Sequence, residues 1–98
     1  MKTYTAYFNR FSLTLPKNVV TDCAHQGACD EDVKHWAGGY PDRLPQLHAL
    51  DTEKLRDELR GYGTWDGEDL ADDQANRERI LWLASCDILD EHRKDFRR

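Results

Sequence analysis

The N-terminal segment alternates apolar and polar residues with the period of two that is typical of a β-strand. Tyr4, Ala6 and Phe8 share one face, and after a change of parity at Asn9-Arg10 a second set shares a face: Phe11, Leu13 and Leu15. The parity change predicts a tight hairpin or a bulge, and a single bent strand is the alternative. We therefore expect a short β-element over residues 3–15.

After this segment the apolar spacing changes to that of helices. A first helix is predicted to begin near Pro16, with Thr14 as its cap, and to end at Gly27. A second short helix is predicted over residues 30–37, with three acidic residues in its first turn, where the helix dipole favours them. Two prolines and two glycines in residues 38–49 predict a long loop.

The C-terminal half carries the clearest helical pattern. Asp51 or Thr52 is expected to cap a helix whose apolar stripe continues through Tyr62, and Asp51 as the cap would place Leu50 and Leu55 at the spacing of a hydrophobic staple. Asp66 can cap a short turn or helix carrying Leu70 and Ala71. A long helix is then predicted from about Asp73 to about Arg93, with an inward face that includes Ile80, Leu81, Ala84 and Ile88.

These elements predict a mainly helical α+β fold. A short N-terminal β-hairpin or bent strand (3–15) would pack with three to four helices (16–93). The chain has 98 residues, with no repeat and no linker long enough to divide it, so we expect residues 1–98 to form a single compact domain.

Composition narrows the classes of protein that fit. A formal charge of −5 with 39% hydrophobic residues is too apolar for an acidic disordered tail, and no apolar run is long enough for a membrane span or a signal peptide. Net acidity disfavours direct nucleic-acid binding, which uses a basic face. Three cysteines are an odd count, which favours reduced thiols in a cytoplasm over a secreted disulfide framework.

Motifs of catalysis and of metal binding are weak. No phosphate-binding loop and no Gly-x-Ser-x-Gly elbow occurs, and Cys86 and His92 are six residues apart on one predicted helix, where they point in different directions. A zinc site would need Cys23, His25, Cys29 and His35, whose spacing does not match the common zinc patterns. We therefore expect neither an enzyme nor a cofactor or metal.

The distribution of charge is the most informative feature. Residues 18–91 hold seven basic and eighteen acidic residues, a balance of −11, whereas residues 1–17 and 92–98 each balance at +3. Five acidic residues fall within 66–73 with no base among them. Helix N-termini favour acidic residues and explain where these clusters lie. The alternative is an acidic face that substitutes for a phosphate backbone in the basic groove of a nucleic-acid-binding protein.

The second interpretation predicts a set of partner-binding residues. We expect the carboxylates to form the interface, with two tyrosines as aromatic contacts at its rim: Asp30, Glu31, Asp32, Asp66, Glu68, Asp69, Asp72, Asp73, Tyr40 and Tyr62. Trp65, Leu70, Trp82 and Ala84 are interpreted as core residues. Asn76 and Arg79 are interpreted as internal hydrogen-bonding partners that position the turn carrying the acidic residues of 66–73.

Residues 50–91 resemble the C-terminal part of small proteins carried by phages, prophages and other mobile elements. The resemblance lies in Tyr62-Gly63-x-Trp65-Asp66, in the run from Glu68 to Asp72, and in four later positions: Asn76, Arg79, Trp82 and Ala84. The upstream segment HQGACDEDV adds to the resemblance. Such a family implies a genomic setting and a small size without implying catalysis. Within that setting the chain is similar to type I-F anti-CRISPR proteins of the DNA-mimic kind.

That resemblance implies a phage-encoded inhibitor that acts in the cytoplasm of a host bacterium. Its partner would be the crRNA-guided surveillance complex or another ribonucleoprotein with a basic nucleic-acid-binding groove, and it would bind neither nucleic acid directly nor a membrane. Two alternatives stay open at this point. One is a small acidic adaptor or regulator of a mobile element, and the other is an antirestriction-type DNA mimic.

Overall fold

A computed structural model describes residues 2–24 and 44–96, with side chains described to residue 21 in the first range. Two strands, β1 (Thr3–Tyr7) and β2 (Ser12–Pro16), form an antiparallel hairpin in which Thr5 pairs with Thr14. The helices that follow are α1 (Lys17–Ala24), α2 (Pro45–His48), α3 (Thr52–Arg60) and α4 (Asp73–Glu91). The 3₁₀ helices Asp69–Ala71 and Arg93–Phe96 flank α4.

The alternation in the N-terminal segment does produce a hairpin. The amide of Phe8 donates to the carbonyl of Phe11 at 2.8 Å, closing a two-residue turn at Asn9-Arg10. No residue of this turn uses a positive φ, and the amides of its two central residues are satisfied by a side chain outside the hairpin. The buried Glu58 carboxylate of α3 accepts from the amides of Asn9 at 2.7 Å and Arg10 at 3.2 Å. One side chain of α3 therefore holds the hairpin against the helical layer.

The long helix α4 forms the centre of the core. It buries the four predicted inward residues and packs most extensively against α1, β1 and α3. One hydrophobic cluster includes residues of the hairpin, of the helices and of the 3₁₀ turn: Tyr4, Ala6, Leu13, Leu15, Val19, Val20, Leu47, Leu55, Leu59, Leu70, Ile80, Leu81, Ala84 and Ile88. The mainly helical α+β fold predicted from the sequence is thus confirmed.

The beginning of α3 follows the predicted capping pattern. Asp51 is its N-cap and accepts from the amides of Glu53 at 2.8 Å and Lys54 at 3.4 Å. Leu50 packs against the core and Leu55 is fully buried, at the positions that a hydrophobic staple requires.

Several boundaries differ from the predictions. Thr14 is not a helix cap: it lies in β2, which continues through Pro16, because pairing with β1 outweighs the local preference of proline for a helix start. Part of the predicted loop is the short helix α2. The α3 stripe ends before Tyr62, which is 45% exposed. The predicted helix over residues 30–37 lies outside the described residues.

Candidate functional site

The acidic segment 66–73 is a turn that leads into α4 and is not a continuous helix. Residues 67–68 lie in a turn, Asp69–Ala71 is a single 3₁₀ turn, and Asp72 is already the N-cap of α4. The carboxylates consequently do not follow the regular spacing of an α-helical face. We refer to residues 66–71 as the acidic turn.

The acidic turn is anchored by Leu70. Its side chain is fully buried, and its amide donates to the carbonyl of Asp66 at 3.0 Å. Its own carbonyl accepts from Asn76 Nδ2 at 2.9 Å and from Arg56 Nε at 3.1 Å. Two helices therefore hold the same main-chain oxygen, since Arg56 belongs to α3 and Asn76 to α4.

Arg79 makes the second anchor of the acidic turn. Its NH1 donates to the carbonyl of Asp69 at 2.9 Å and to Asn76 Oδ1 at 2.7 Å, and its guanidinium lies over the ring of Trp65 at 5.4 Å. Both Arg79 and Asn76 are buried. The prediction that these two residues are internal hydrogen-bonding partners positioning the acidic turn is therefore confirmed.

Asp72 and Asp73 have structural tasks. Asp72 caps α4 by accepting from the amide of Ala75 at 3.1 Å, and Asp73 forms an ion pair with Arg56 at 2.8 Å. The sequence has no base within 66–73, but the fold brings Arg56 from α3 to this segment. The segment is thus less negative than its sequence suggests, and the capping interpretation accounts for Asp72 and for part of the role of Asp73.

The carboxylates that remain available are those of Asp66, Glu68 and Asp69. All three residues are exposed. Among the described residues, no side chain pairs with Asp66 or Glu68, and Asp69 makes only a long contact of 3.5 Å with the amide of Asp66. These three residues form the acidic surface that the structure leaves open to a partner.

The structure does not bring Tyr62 to that surface. Its charged neighbours are Asp87 and Glu58, and partial burial together with these carboxylates raises the pKa of Tyr62. The four other predicted contact residues lie outside the described part of the chain: Asp30, Glu31, Asp32 and Tyr40.

Sequence reasoning missed a second acidic site at the other end of α4. Asp87, Asp90 and Glu91 line a groove of about 220 Å³ together with Ala6 and Tyr7 of β1. We call it the α4–β1 groove. Partial burial, with repulsion from the two other carboxylates, raises the pKa of Asp87. The spacing i, i+3, i+4 could have indicated the three carboxylates, but only the packing of β1 on α4 places Ala6 and Tyr7 beside them.

The described side chains carry neither a metal site nor an activated thiol. No group of three or more His, Cys, Asp and Glu side chains in this part of the chain could hold a metal ion. The candidate zinc residues His25, Cys29 and His35 lie outside it, as does the side chain of Cys23. Burial, followed by repulsion from Asp90 and Asp87, raises the pKa of the Cys86 thiol, which disfavours the nucleophilic thiolate.

Comparisons with protein-family models, with curated proteins and with solved structures found no match to this chain. Within the described ranges no helix has the length and apolar character that crossing a membrane requires. The functional proposal therefore depends on the acidic turn and on the way the fold presents it.

Proposed function

We propose that this protein is a non-catalytic inhibitor of a host CRISPR surveillance complex, and that its acidic turn occupies a basic groove that would otherwise hold target DNA. The observation that carries the proposal is the set of three exposed carboxylates on a turn held by buried polar anchors: Asp66, Glu68 and Asp69. The choice of a CRISPR complex as the target comes from the resemblance of residues 50–91 to proteins of mobile elements.

The construction of the turn suits a binding role. Asn76 and Arg79 are buried and bond its main chain, so little conformational freedom remains to be lost when a partner binds. Neighbouring carboxylates without cationic partners repel one another, and a groove rich in Lys and Arg would relieve that repulsion. Such complementarity mainly increases the association rate and makes it sensitive to salt.

The proposed interface is narrower than the acidic segment. Reversing the charge of Asp72 or Asp73 would remove the cap of α4 or the ion pair with Arg56, and the protein would lose stability as well as charge. Only substitutions at Asp66, Glu68 and Asp69 separate binding from folding.

The decisive test is the double variant Asp66→Asn/Glu68→Gln, measured against a type I-F surveillance complex. A charge-matched control is Glu53→Gln/Asp57→Asn. Both carboxylates lie on α3 and form solvent-exposed pairs with arginines, Glu53 with Arg56 and Asp57 with Arg60, and Asp57 makes a further long contact of 3.9 Å with Arg10. Two lost contacts of roughly 1 kcal/mol each predict a Kd increase of about thirtyfold at ~50 mM salt. The control should change Kd by less than about twofold.

Both double variants should melt within about 2 °C of the parent protein, because they change exposed side chains. The difference in Kd should shrink at high salt, where screening weakens charge contacts. Equal binding by the parent and the Asp66→Asn/Glu68→Gln variant would rule out the acidic turn as the interface. If the parent protein bound the target of an antirestriction protein and did not bind the surveillance complex, the proposed target would be wrong and the DNA-mimic mechanism would stand.

A second candidate function is a small adaptor with an ordinary protein–protein interface. The observation that favours it is Tyr7, whose side chain is 78% exposed on the hairpin although it is large and aromatic. Aromatic residues are enriched at interface centres. An adaptor of this kind would bind in high salt and lose its partner on Tyr7→Ala, whereas the DNA-mimic mechanism predicts the opposite pattern.

A further inference from the structure

The outer edges of the two hairpin strands differ in whether their outward main-chain groups have hydrogen-bond partners. On β2, the side-chain amide of Gln46 accepts from the amide of Thr14 at 3.0 Å and donates to its carbonyl. Gln46 thereby satisfies both outward main-chain groups at the centre of β2. Pro16, at the end of the same strand, has no amide hydrogen to offer. The central and C-terminal parts of the outer edge of β2 are therefore poorly suited to pairing with a further strand.

The outer edge of β1 has no hydrogen-bond partner in the described part of the chain. Because the main-chain groups of Thr14 point to Gln46, its antiparallel partner Thr5 must direct its own amide and carbonyl away from β2. Hydrogen-bonded and non-hydrogen-bonded pairs alternate along the ladder, so the amides and carbonyls of Thr3 and Tyr7 also point away from β2. No hydrogen bond from the described residues reaches these outward groups. The strand TYTAY also contains no proline, lysine or bulge, which are the usual means of blocking an edge.

The α4–β1 groove runs beside this open edge and is negatively charged. Asp87 and Glu91 have no cationic partner among the described residues, and Asp90 has only an exposed pair with Arg93 at 3.2 Å. Partial burial and repulsion from Asp90 and Glu91 raise the pKa of Asp87. Among the described residues, Arg93 alone offsets the negative charge that the groove concentrates.

We propose that the outer edge of β1 binds an extended, basic segment of a partner protein, which adds as a third strand and places Lys or Arg side chains over Asp87 and Glu91. Same-face residues of a strand repeat at ~6.6–6.8 Å, and carboxylates four residues apart on a helix lie at ~5–6 Å, so a Lys-x-Arg pattern matches the groove. Strand addition of this kind takes its affinity from main-chain bonds and its specificity from alternate side chains.

A second copy of this chain fits the edge less well. Its own edge strand, Thr3–Tyr7, contains no basic residue, and the preceding Lys2 is already paired with Asp95 at 2.7 Å. The site is also separate from the acidic turn. Asp72 and Asp90 lie about 27 Å apart along α4, so the two surfaces can be tested independently.

The probe is a synthetic peptide, Thr-Lys-Val-Arg-Val-Lys-Thr, titrated into the full chain and followed by amide NMR and hydrogen exchange. The amides of Thr3, Thr5 and Tyr7 should gain protection, because they would donate to the peptide. A peptide of the same sequence with alternate amides N-methylated keeps the charge and removes the strand pairing. It should bind at least about tenfold more weakly.

Protein variants separate the two parts of the site. Thr5→Pro removes an outward amide while leaving the bonds to β2 possible, and Thr5→Val is its matched control, since both lose the hydroxyl contact with Thr14. Asp87→Asn/Glu91→Gln should weaken binding roughly tenfold at low salt. Asp66→Asn/Glu68→Gln should leave it unchanged, which distinguishes failure of this site from failure of the acidic turn.

Three results would overturn the proposal. The first is equal affinity for the methylated and unmethylated peptides, which would reduce the interaction to charge alone. The second is the absence of any protection at the β1 amides at millimolar peptide. The third is a concentration-dependent dimer in analytical ultracentrifugation whose β1 amides are protected without peptide, since the occupant would then be a second copy.

Discussion

Asn76→Ala should destabilise the whole protein and release the acidic turn in particular. The Asn76 side chain is fully buried and joins two parts of the structure, since it donates to the carbonyl of Leu70 and accepts from Arg79. Alanine removes both hydrogen bonds and leaves a small cavity between α4 and the turn. The helix itself is not harmed, because alanine is the best helix former.

The magnitude follows from the two bonds. The neutral bond to Leu70 is worth roughly 1 kcal/mol, and the charge-assisted bond from Arg79 roughly 1.5–3 kcal/mol. In this variant the Leu70 carbonyl and the Arg79 guanidinium each keep a hydrogen-bond partner. Arg56 still donates to the Leu70 carbonyl, and Arg79 still donates to the Asp69 carbonyl. We therefore expect a loss of about 2–4 kcal/mol in the free energy of unfolding, which lowers Tm by roughly 10–25 °C.

Urea unfolding measures the global effect, and hydrogen exchange measures the local one. The amides of Leu70 and Ala71 donate within the turn, at 3.0 and 3.2 Å, and their exchange should accelerate more than that of the α4 core. Asn76→Asp is an informative second variant, because it keeps the acceptor for Arg79 and loses the donor to Leu70. Gln74→Ala is the matched control, since Gln74 is an exposed amide on the same helix.

A loss of less than about 1 kcal/mol in Asn76→Ala, the size of an ordinary surface effect, would contradict this role of Asn76. Exchange of the Leu70 and Ala71 amides only by global unfolding in the variant would contradict it as well. In either case the acidic turn would be held by something other than the buried amide.

Two further predictions concern buried and crowded carboxylates. Glu58→Ala removes the acceptor of two hairpin-turn amides and should cost about 2 kcal/mol in urea unfolding, with Glu58→Gln intermediate; an effect below about 0.5 kcal/mol would show that water replaces the carboxylate. The raised pKa of Asp87 means that protonated Asp87 stabilises the folded state relative to ionised Asp87. The contribution of Asp87 to stability is therefore complete below its unfolded pKa of ~3.9 and is lost as pH rises through its higher folded pKa. Asp87→Asn should therefore raise Tm at neutral pH and leave it unchanged near pH ~3, and a Tm gain of equal size at both pH values would contradict this origin.

Local patterns predicted the elements whose stabilising contacts are close in sequence. The alternation around Asn9-Arg10 indicated the hairpin, and the Asp51 cap with the Leu50 and Leu55 spacing indicated the start of α3. The internal roles of Asn76 and Arg79 were also predictable, because helical spacing places both on the buried side of α4. Tertiary contact decided the remainder: Thr14 belongs to β2 because pairing with β1 outweighs its local capping tendency.

Dense negative charge at the start of α4 is evident from the amino-acid sequence alone, but which carboxylates are available to a partner is not. That depends on contacts between residues far apart in the chain. Arg56 pairs with Asp73 from 17 positions away, Gln46 bonds the main chain of Thr14 from 32, and Glu58 holds the hairpin turn from 49. Ion pairs and hydrogen bonds at such separations leave no periodic signal, because their geometry exists only once the helices have packed. Within residues 2–24 and 44–96, these contacts leave two surfaces without partners: the carboxylates of Asp66, Glu68 and Asp69, and the outer edge of β1.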